Sequence, residues 1–236
     1  MTKKQSGPRT LVFGGGGIHD YRSVCPVLAE VAKATLGGRV EVVEEDYDAF
    51  LPERLAGVDL VVLYHTGSTL SRAQAQGLTG AVAQGMGLVG VHGAADSFRN
   101  SPEFRAMLGG EYKGHPFYRE FTVSLYDPTP GVGSGPKHAM LRGLEGQTVE
   151  RWEGGPVFEY RVRDEQFLLD CDPGNTVLAT GLYKGIAWPV AWVREWGLGR
   201  VCYLALGHDV AACGEPFFGR MFAGGVEWAV RDVVSR

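Results

Sequence analysis

The stretch Gly87-Leu-Val-Gly-Val-His-Gly-Ala-Ala-Asp-Ser97 decides the fold of this chain. Its first five residues form a short apolar run, which is typical of a strand buried on both faces of a sheet. Small residues then flank His92, as they do in a nucleophile elbow, where a tight strand-to-helix turn exposes the central side chain. That central residue is usually serine or cysteine. Histidine at this position therefore predicts an acid, a base or a ligand rather than an acyl-enzyme nucleophile.

Strand and helix patterns alternate on both sides of this elbow. Apolar runs predict strands, and apolar residues recurring every three to four positions predict helices. The predicted order is strand Arg9–Gly14, helix Tyr21–Thr35, strand Val40–Glu44, strand Asp59–Tyr64, helix Ser71–Gln84 with Ser71 as N-cap, strand Gly87–Val91, helix Pro102–Leu108, strand Arg200–Leu206 and helix Pro216–Val230. This alternation predicts an α/β fold with a doubly wound, mostly parallel, flavodoxin-like sheet.

The middle of the chain has a different character. Shorter strands are predicted at Phe121–Tyr126, Phe158–Val162 and Phe167–Asp170, between Pro- and Gly-rich turns such as Pro128–Pro136. Such a pattern favours an antiparallel extension or insertion over a separate domain. We therefore expect one domain across residues 1–236, with residues 1–8 as a flexible lead.

Composition excludes several classes of protein. The 236 residues are 44% hydrophobic, which suffices for one well-buried core. No stretch reaches the ~18–20 apolar residues of a membrane helix, and the N-terminus lacks the apolar region of a signal peptide, so a cytoplasmic location is expected. The net charge is −4, and the basic residues are scattered and do not form the basic stripe of a nucleic-acid groove. We expect a small-molecule partner, with no nucleic acid and no membrane; homo-oligomer formation stays open.

No local motif for a cofactor is present. The four cysteines occur singly, without a CxxC pair, which excludes a zinc ribbon or a thioredoxin motif and fits a reduced compartment. The glycine run at 14–17 lacks the Lys-Ser/Thr of a P-loop and the spacing of a dinucleotide fingerprint. We interpret that run as a tight turn that brings backbone close to a binding crevice.

Histidines mark the candidate site. Four of the six lie just past the carboxyl ends of predicted buried strands: His19, His65, His92 and His208. Ligands of open α/β sheets bind in the crevice outside the carboxyl ends of the strands, so these imidazoles could converge there. Imidazole transfers protons near neutral pH and binds metals. For any single histidine, a hydrogen bond to the backbone of its turn is an equally good explanation; four together favour function.

Five segments in order give the chain a family resemblance. They are Gly14–Asp20 (GGGGIHD), Gly87–Ser97, Gly109–His115 (GGEYKGH), Asp164–Phe167 (DEQF) and Pro189–Asp209, which ends in LALGHD. The chain resembles the ThuA-like, or trehalose-utilisation, proteins, which share the class I glutamine amidotransferase-like fold. The resemblance covers almost the whole chain after Arg9, and the second and last segments are the most specific.

The resemblance implies a role in carbohydrate catabolism. It points to trehalose and related disaccharides, by way of 3-keto-sugars made by a partner dehydrogenase. Carried over motif by motif, the implied catalytic residues are His19, His92, Asp96, His115, Glu165 and His208. Phe167 departs from the family, which commonly has tyrosine there, so this chain lacks any role of that hydroxyl.

The residues themselves support these assignments unequally. His92 and His208, at neighbouring strand ends, could pair as acid and base, and Asp96 follows closely enough to orient an imidazole. Glu165 taken alone has the pattern of a solvated surface carboxylate, and His115 that of a loop residue. Only the resemblance selects those two.

Aromatic residues could bind a sugar ring. Tyr112 and Trp188 are the strongest candidates, and with His65 they form the predicted substrate-binding set. The alternative is that they fill the core, as aromatic side chains commonly do.

Three functional hypotheses remain at this point. The first is an enzyme acting on a disaccharide or keto-sugar by His/carboxylate acid–base chemistry, through isomerisation, elimination or hydrolysis. The second is a metal-dependent hydrolase or isomerase with the same histidines as ligands of a divalent metal such as zinc. The third is a sugar-binding module without catalysis. An active glutamine amidotransferase is excluded, because no cysteine occupies the elbow.

Overall fold

The computed structural model describes residues 7–128, 138–144, 147–152 and 155–230. Its strands are β1 (Arg9–Gly15), β2 (Arg39–Glu44), β3 (Leu60–His65), β4 (Gly87–Val91), β5 (Gly110–Gly114), β6 (Arg119–Tyr126), β7 (Gln147–Trp152), β8 (Gly155–Asp164), β9 (Leu168–Cys171), β10 (Thr176–Tyr183), β11 (Ile186–Trp196) and β12 (Gly199–Leu204). Its helices are α1 (Tyr21–Leu36), α2 (Pro52–Leu55), α3 (Arg72–Ala83), α4 (Pro102–Leu108), α5 (Val210–Cys213) and α6 (Pro216–Ala229). Short 3₁₀ turns cover Tyr47–Phe50, His92–Asp96 and Ala139–Leu141. Residues 1–6 of the predicted flexible lead and 129–136 of the predicted turn lie outside the described residues.

Five parallel strands form one half of the main sheet, in the order β2-β1-β3-β4-β12. Both central strands β3 and β4 are buried at every residue, as their continuous apolar sequences predict. The connections of β1 to β2 and of β3 to β4 run through α1 and α3, so this half is doubly wound. The predicted fold class is confirmed.

The other half of the sheet is antiparallel and continues from β12 in the order β11-β10-β6-β8-β7. The antiparallel extension was predicted, with β6 and β8 among its strands, but β7, β10 and β11 were not predicted as strands. Proline removes a donor from a sheet ladder and is tolerated chiefly at bulges and edges. The structure meets this condition, because the register between β10 and β11 shifts where Thr180 pairs with Pro189. A separate two-stranded sheet pairs β5 with β9.

Helix ends follow their capping residues. Ser71 caps α3 with a capping box: its hydroxyl accepts from the backbone of Gln74, whose side chain in turn accepts from the backbone of Ser71. Asp20 caps α1 in a similar way, through Ser23. The helix predicted at Pro102–Leu108 has those bounds in the structure, and Gly109 ends it in a left-handed conformation.

The carboxyl ends of β1, β3, β4 and β12 lie along one edge of the parallel half. His19, His65, His92 and His208 lie at or just beyond those ends. Within the described ranges, no helix is long and apolar enough to cross a membrane. The site is therefore to be sought at this edge of the sheet.

Candidate active site

The elbow around His92 is present. The strand β4 ends at Val91, and His92 has a φ of +44°, a left-handed conformation that is uncommon for residues with a side chain. The hydroxyl of Tyr203 donates to the backbone carbonyl of His92 at 2.7 Å. The buried ring donates from Nδ1 to the carbonyl of Ala205 at 2.6 Å. Since that carbonyl can only accept, the hydrogen is on Nδ1, and Nε2 is the nitrogen that faces the other histidines and Glu165.

His19 approaches the elbow from the glycine-rich turn after β1. Gly16 has a φ of +85°, and a β-carbon there would overlap the backbone of Thr66, so glycine is required for this close approach. Nδ1 of His19 lies 2.6 Å from the hydroxyl of Thr66. The rings of His19 and His92 meet edge to face, with centroids 4.7 Å apart. The predicted role of the glycine run as a tight turn beside the site agrees with this geometry.

His208 follows β12 on a turn that Asp164 fixes. The carboxylate of Asp164 accepts from the backbone amides of Gly207 at 2.7 Å and His208 at 3.2 Å. The hydroxyl of Tyr64 donates to the carbonyl of His208 at 2.8 Å. Nδ1 of His208 lies 3.3 Å from Nε2 of His92. The structure therefore brings together the two histidines that were predicted to pair.

Glu165 lies among the histidines and is not a solvated surface residue. Its side chain is 12% exposed. Oε2 lies 3.4 Å from Nε2 of His92 and 3.2 Å from Nδ1 of His208. Oε1 lies 3.0 Å from Nδ1 of His115. One carboxylate thus contacts imidazoles from three separate segments of the chain.

His115 forms the outer edge of the site. Its side chain is 38% exposed, more than that of either other histidine in contact with Glu165. Nδ1 lies close both to Oε1 of Glu165 and to the carbonyl of Pro116, at 2.9 Å from the latter. Solvent and ligands can therefore reach this imidazole more easily than the inner ones.

Burial and mutual charge set the protonation of the group. Burial, with repulsion from His92 and His208, lowers the pKa of His19 to about 3, so its ring is neutral near pH 7. Burial alone would raise the pKa of the Glu165 carboxyl, but hydrogen bonds with His208 and His92 outweigh it and hold that pKa well below its usual range. The hydrogen bond with Glu165 raises the pKa of His208 against the effect of burial. The site thus combines an ionised carboxylate with imidazoles of different basicity.

Four of these side chains form what we call the inner cluster. Each offers one donor atom, and these atoms all lie within 4.8 Å of one another. The members are His19, His92, Glu165 and His208. Neutral imidazole nitrogens and an ionised carboxylate can relay protons, and they are also the donors that transition metals take in proteins.

Two predicted site residues have other contacts. His65 is 1% exposed; its ring nitrogens lie 2.9 Å from the hydroxyl of Ser97 and 3.1 Å from that of Tyr47. The carboxylate of Asp96 pairs with Arg99 and is not seen to orient an imidazole. The structure thus brings neither into the inner cluster, and their functional roles remain predictions.

The predicted aromatic residues also differ in position. The ring centroids of Tyr112 and Phe167 are 4.6 Å apart. Those of Phe167 and His92 are 4.0 Å apart. Tyr112 therefore borders the site. Trp188 lies in β11 opposite Gly181, half-buried, and its role in sugar binding remains a prediction.

Supporting residues were missed by sequence reasoning. Thr66 positions His19, Asp164 holds the turn of His208, and Tyr203 holds the backbone of the elbow. The ring of Tyr118 also lies beside that of His208, with centroids 5.5 Å apart. Thr66 follows a strand end, and Asp164 and Tyr203 lie within segments that carry the family resemblance, but nothing in the sequence gave any of the three a role.

The fold and the site define a doubly wound α/β protein with a histidine–carboxylate centre at the carboxyl edge of its sheet. The sequence profile of the ThuA family, described as trehalose utilisation, matches residues 9–229. The chain belongs to this family. A comparison with curated protein sequences found no match.

Solved structures share the fold. A protein described as ThuA-like from Parabacteroides merdae has a TM-score of 0.71 and 20% identity, covering 97% of this chain and 92% of that one. A second from Bacteroides uniformis has a TM-score of 0.73 and 14% identity, covering 98% and 95%. The β-galactosidase of Rahnella sp. R3 matches 96% of this chain with only 32% of its own length, at a TM-score of 0.58 and 16% identity. At these identities the likeness concerns the fold alone.

Proposed function

We propose that this protein is an enzyme of carbohydrate catabolism that acts on a disaccharide or keto-sugar, related to trehalose, such as a 3-keto-glycoside. Membership of the trehalose-utilisation family supports the carbohydrate role. The observation that carries the catalytic part is the contact of the Glu165 carboxylate with His92, His115 and His208.

A keto group gives such a site a reaction to perform. A carbonyl on the sugar ring makes the neighbouring C–H acidic, and the electron pair left by proton removal can expel the glycosidic oxygen from the next carbon. The base must lie within hydrogen-bond reach of that proton. His115 suits this task, because its ring is accessible while Glu165 holds Nδ1. The expelled oxygen takes up a proton and leaves as an alcohol, and the sugar ring keeps a C=C bond beside its carbonyl. The reaction can end there as an elimination, or water can add to the C=C bond to give the hydrolysis product.

Substrate binding falls to residues beside the cluster. Tyr112 is half-buried and packs against Phe167 at the border of the site. A sugar ring presents apolar C–H faces that stack on aromatic side chains. We assign the first sugar contact to Tyr112, with His65 and Trp188 as weaker candidates.

Amidotransferase chemistry is not part of the proposal. A thiolate is the nucleophile of that reaction, and reactive thiolates need an accessible and electropositive setting. Cys25, Cys202 and Cys213 are buried, and burial raises the pKa of Cys25 to about 12. The elbow position itself is His92.

Turnover of a defined panel tests the proposal. The wild-type protein, assayed with and without added divalent metals, is incubated with 3-keto-glycosides and their parent disaccharides, and the products are analysed. We expect turnover of at least one keto-glycoside, and a loss of kcat of about 10²–10⁴-fold in His115→Gln. The control is His138→Gln, since His138 contacts Trp228 outside the site.

Two outcomes would overturn the proposal. If His115→Gln keeps full kcat, the assigned base is wrong. If the wild type binds sugars by calorimetry but converts none of the panel, the non-catalytic sugar-binding module replaces the enzyme.

A further inference from the structure

We propose that the inner cluster binds a divalent transition metal of the zinc type. The cluster consists of His19, His92, Glu165 and His208. The metal deepens the function proposed above by naming a cofactor for the same site. Only its catalytic use rests on that function, because metal binding can be measured without any substrate.

The spacing of the donor atoms carries the inference. Nε2 of His92, Nδ1 of His208 and Oε2 of Glu165 form a triangle with sides of 3.3, 3.2 and 3.4 Å. Ligands at ~2.0–2.1 Å around a tetrahedral zinc are about 3.3 Å apart. Octahedral sites at the same bond length would bring neighbouring ligands to about 2.9 Å. The triangle therefore has the size of one face of a tetrahedral metal site.

The outer atoms of three of the four ligands, His92, His19 and Glu165, already have a neighbour. The Nδ1–H of His92 donates to Ala205, and Nδ1 of His19 contacts Thr66. Oε1 of Glu165 contacts His115. Metal-binding histidines and carboxylates in proteins are held in this way, with the remote atom fixed by a neighbour and the near atom free for the metal.

The charge of the site also favours a cation. Glu165 is 12% exposed, and its ion pairs in the described part of the chain are with histidines alone. A buried carboxylate needs a partner of positive charge, and a divalent ion supplies it without protonating the imidazoles. Nitrogen-rich donor sets select zinc and its neighbours over calcium and magnesium, which take oxygen ligands.

A bound metal would leave one side of the site open. His208 is 32% exposed, whereas His92 is fully buried, so the cluster has an inner and an outer face. A sugar carbonyl oxygen reaching the outer face would be polarised by the ion acting as a Lewis acid. His115 lies beyond the inner cluster and remains free to transfer protons.

Metal content and affinity test the proposal directly. Protein purified without chelator is analysed for zinc, manganese, iron, cobalt, nickel and copper, and the stripped protein is titrated with zinc by calorimetry. We expect about one equivalent of metal per chain. Cobalt loaded into the stripped protein should give the intense visible absorption of a four- or five-coordinate ion.

Matched variants locate the ion. Glu165→Gln keeps the shape of the side chain and removes its charge, and His19→Gln removes one nitrogen ligand. We expect each to weaken zinc binding by at least 10-fold, since even changes to outer partners of metal ligands cost 10–100-fold. His138→Gln, a histidine outside the site, should bind zinc like the wild type. Circular dichroism confirms that each variant is folded.

The outcomes separate the two proposals. A stripped protein that binds none of the six metals, or equal affinity in Glu165→Gln and the wild type, overturns the metal site. Turnover of keto-glycosides that persists in excess chelator would overturn the catalytic use of the metal and support the proposed enzyme. One equivalent of tightly bound metal without turnover of any substrate would support the metal site while the proposed function fails.

Discussion

The buried carboxylate of Asp164 accepts a hydrogen bond from the backbone amide of Gly207 at 2.7 Å, across 43 residues of sequence. Its other oxygen accepts from the amides of His208 and Glu165, at 3.2 and 2.7 Å. One side chain thereby fixes the two turns that carry His208 and Glu165. Asp164 itself is 2% exposed and contacts no donor atom of the inner cluster through these bonds. Asp164 is therefore a positioning residue.

Replacement of Asp164 by asparagine is expected to loosen both turns. The amide group of asparagine must turn its NH₂ toward one of the three backbone donors, so at least one hydrogen bond becomes a donor–donor contact. We expect Asp164→Asn to lower the free energy of unfolding by about 2–4 kcal/mol. Urea denaturation at pH 7.5 measures this, and zinc titration shows whether the metal site weakens with it.

Asp172→Asn is the control for this change. Asp172 accepts from the backbone of Gly174 at 2.7 Å in an exposed turn, and its other oxygen lies 3.5 Å from the guanidinium of Arg194. Asparagine keeps an oxygen that can accept from Gly174, so the change removes only the charge paired with Arg194, at a cost of less than about 1 kcal/mol. If Asp164→Asn were as mild as this control, Asp164 would not be fixing the two turns.

Thr66 positions His19 through the 2.6 Å contact between its hydroxyl and Nδ1. Thr66→Val keeps the shape of the side chain and removes the hydroxyl, so the ring of His19 loses its orientation. We expect zinc binding to weaken by about 10–100-fold, the usual effect of removing an outer partner of a metal ligand. Calorimetric titration of the stripped protein gives the affinity, and Thr66→Ser should restore it.

Thr79→Val separates this effect from a loss of stability. The hydroxyl of Thr79 is also buried and donates to the carbonyl of Ala75 at 2.8 Å, within α3. Both valine variants should lose about 0.5–1.5 kcal/mol of stability, but only the one at Thr66 should affect zinc. Equal affinities in the two variants would mean that Thr66 does not act through His19.

The parallel half of the fold could be predicted because its strands are buried on both faces. The sequences of β3 and β4 are almost entirely apolar, and α3 between them begins at a clear cap, Ser71. The antiparallel strand β11 escaped prediction for a physical reason. Pro189 argues against a strand in the sequence, and the bulge that accommodates it depends on the pairing with β10.

The site was predictable only where a residue follows a buried strand. His19, His92 and His208 do so, and they meet in the structure. His65 also ends a strand, but its ring enters the core and stacks on Phe98 with centroids 4.5 Å apart. Glu165 lies on the antiparallel half, so nothing local links it to the histidines; the link depends on the tertiary packing of two distant turns.

Gly93 is predicted to admit no side chain. A β-carbon at this position would overlap the hydroxyl of Thr66 and come within 3.0 Å of Nδ1 of His19. Gly93→Ala should therefore separate these two residues and destabilise the fold by about 1–3 kcal/mol. Thermal unfolding and zinc titration measure the two effects.

Gly80→Ala provides the contrast for Gly93→Ala. Gly80 lies within α3, and a β-carbon there would meet nothing within 4 Å. Alanine is the better helix former by about 1 kcal/mol, so this variant should be slightly more stable and bind zinc normally. A Gly93→Ala protein with unchanged stability and zinc affinity would show that the elbow yields easily to a methyl group.

The buried ring of His65 should make the fold sensitive to acid. Burial lowers its pKa to about 4 in the folded protein, against about 6.5 in the unfolded chain. The unfolded chain therefore takes up a proton as the pH falls below about 6.5 while the folded protein does not, so stability is full above that pH and declines toward pH 4. Between pH 7.5 and pH 5 this one group removes about 2 kcal/mol from the free energy of unfolding. His65→Gln, which cannot titrate, isolates the effect when urea denaturation is compared at the two pH values. The loss of stability on acidification should be about 2 kcal/mol smaller in the variant, whatever its stability at pH 7.5.

An equal loss in both proteins would mean that His65 is protonated in the folded state, with its hydrogen bonds to Ser97 and Tyr47 rearranged.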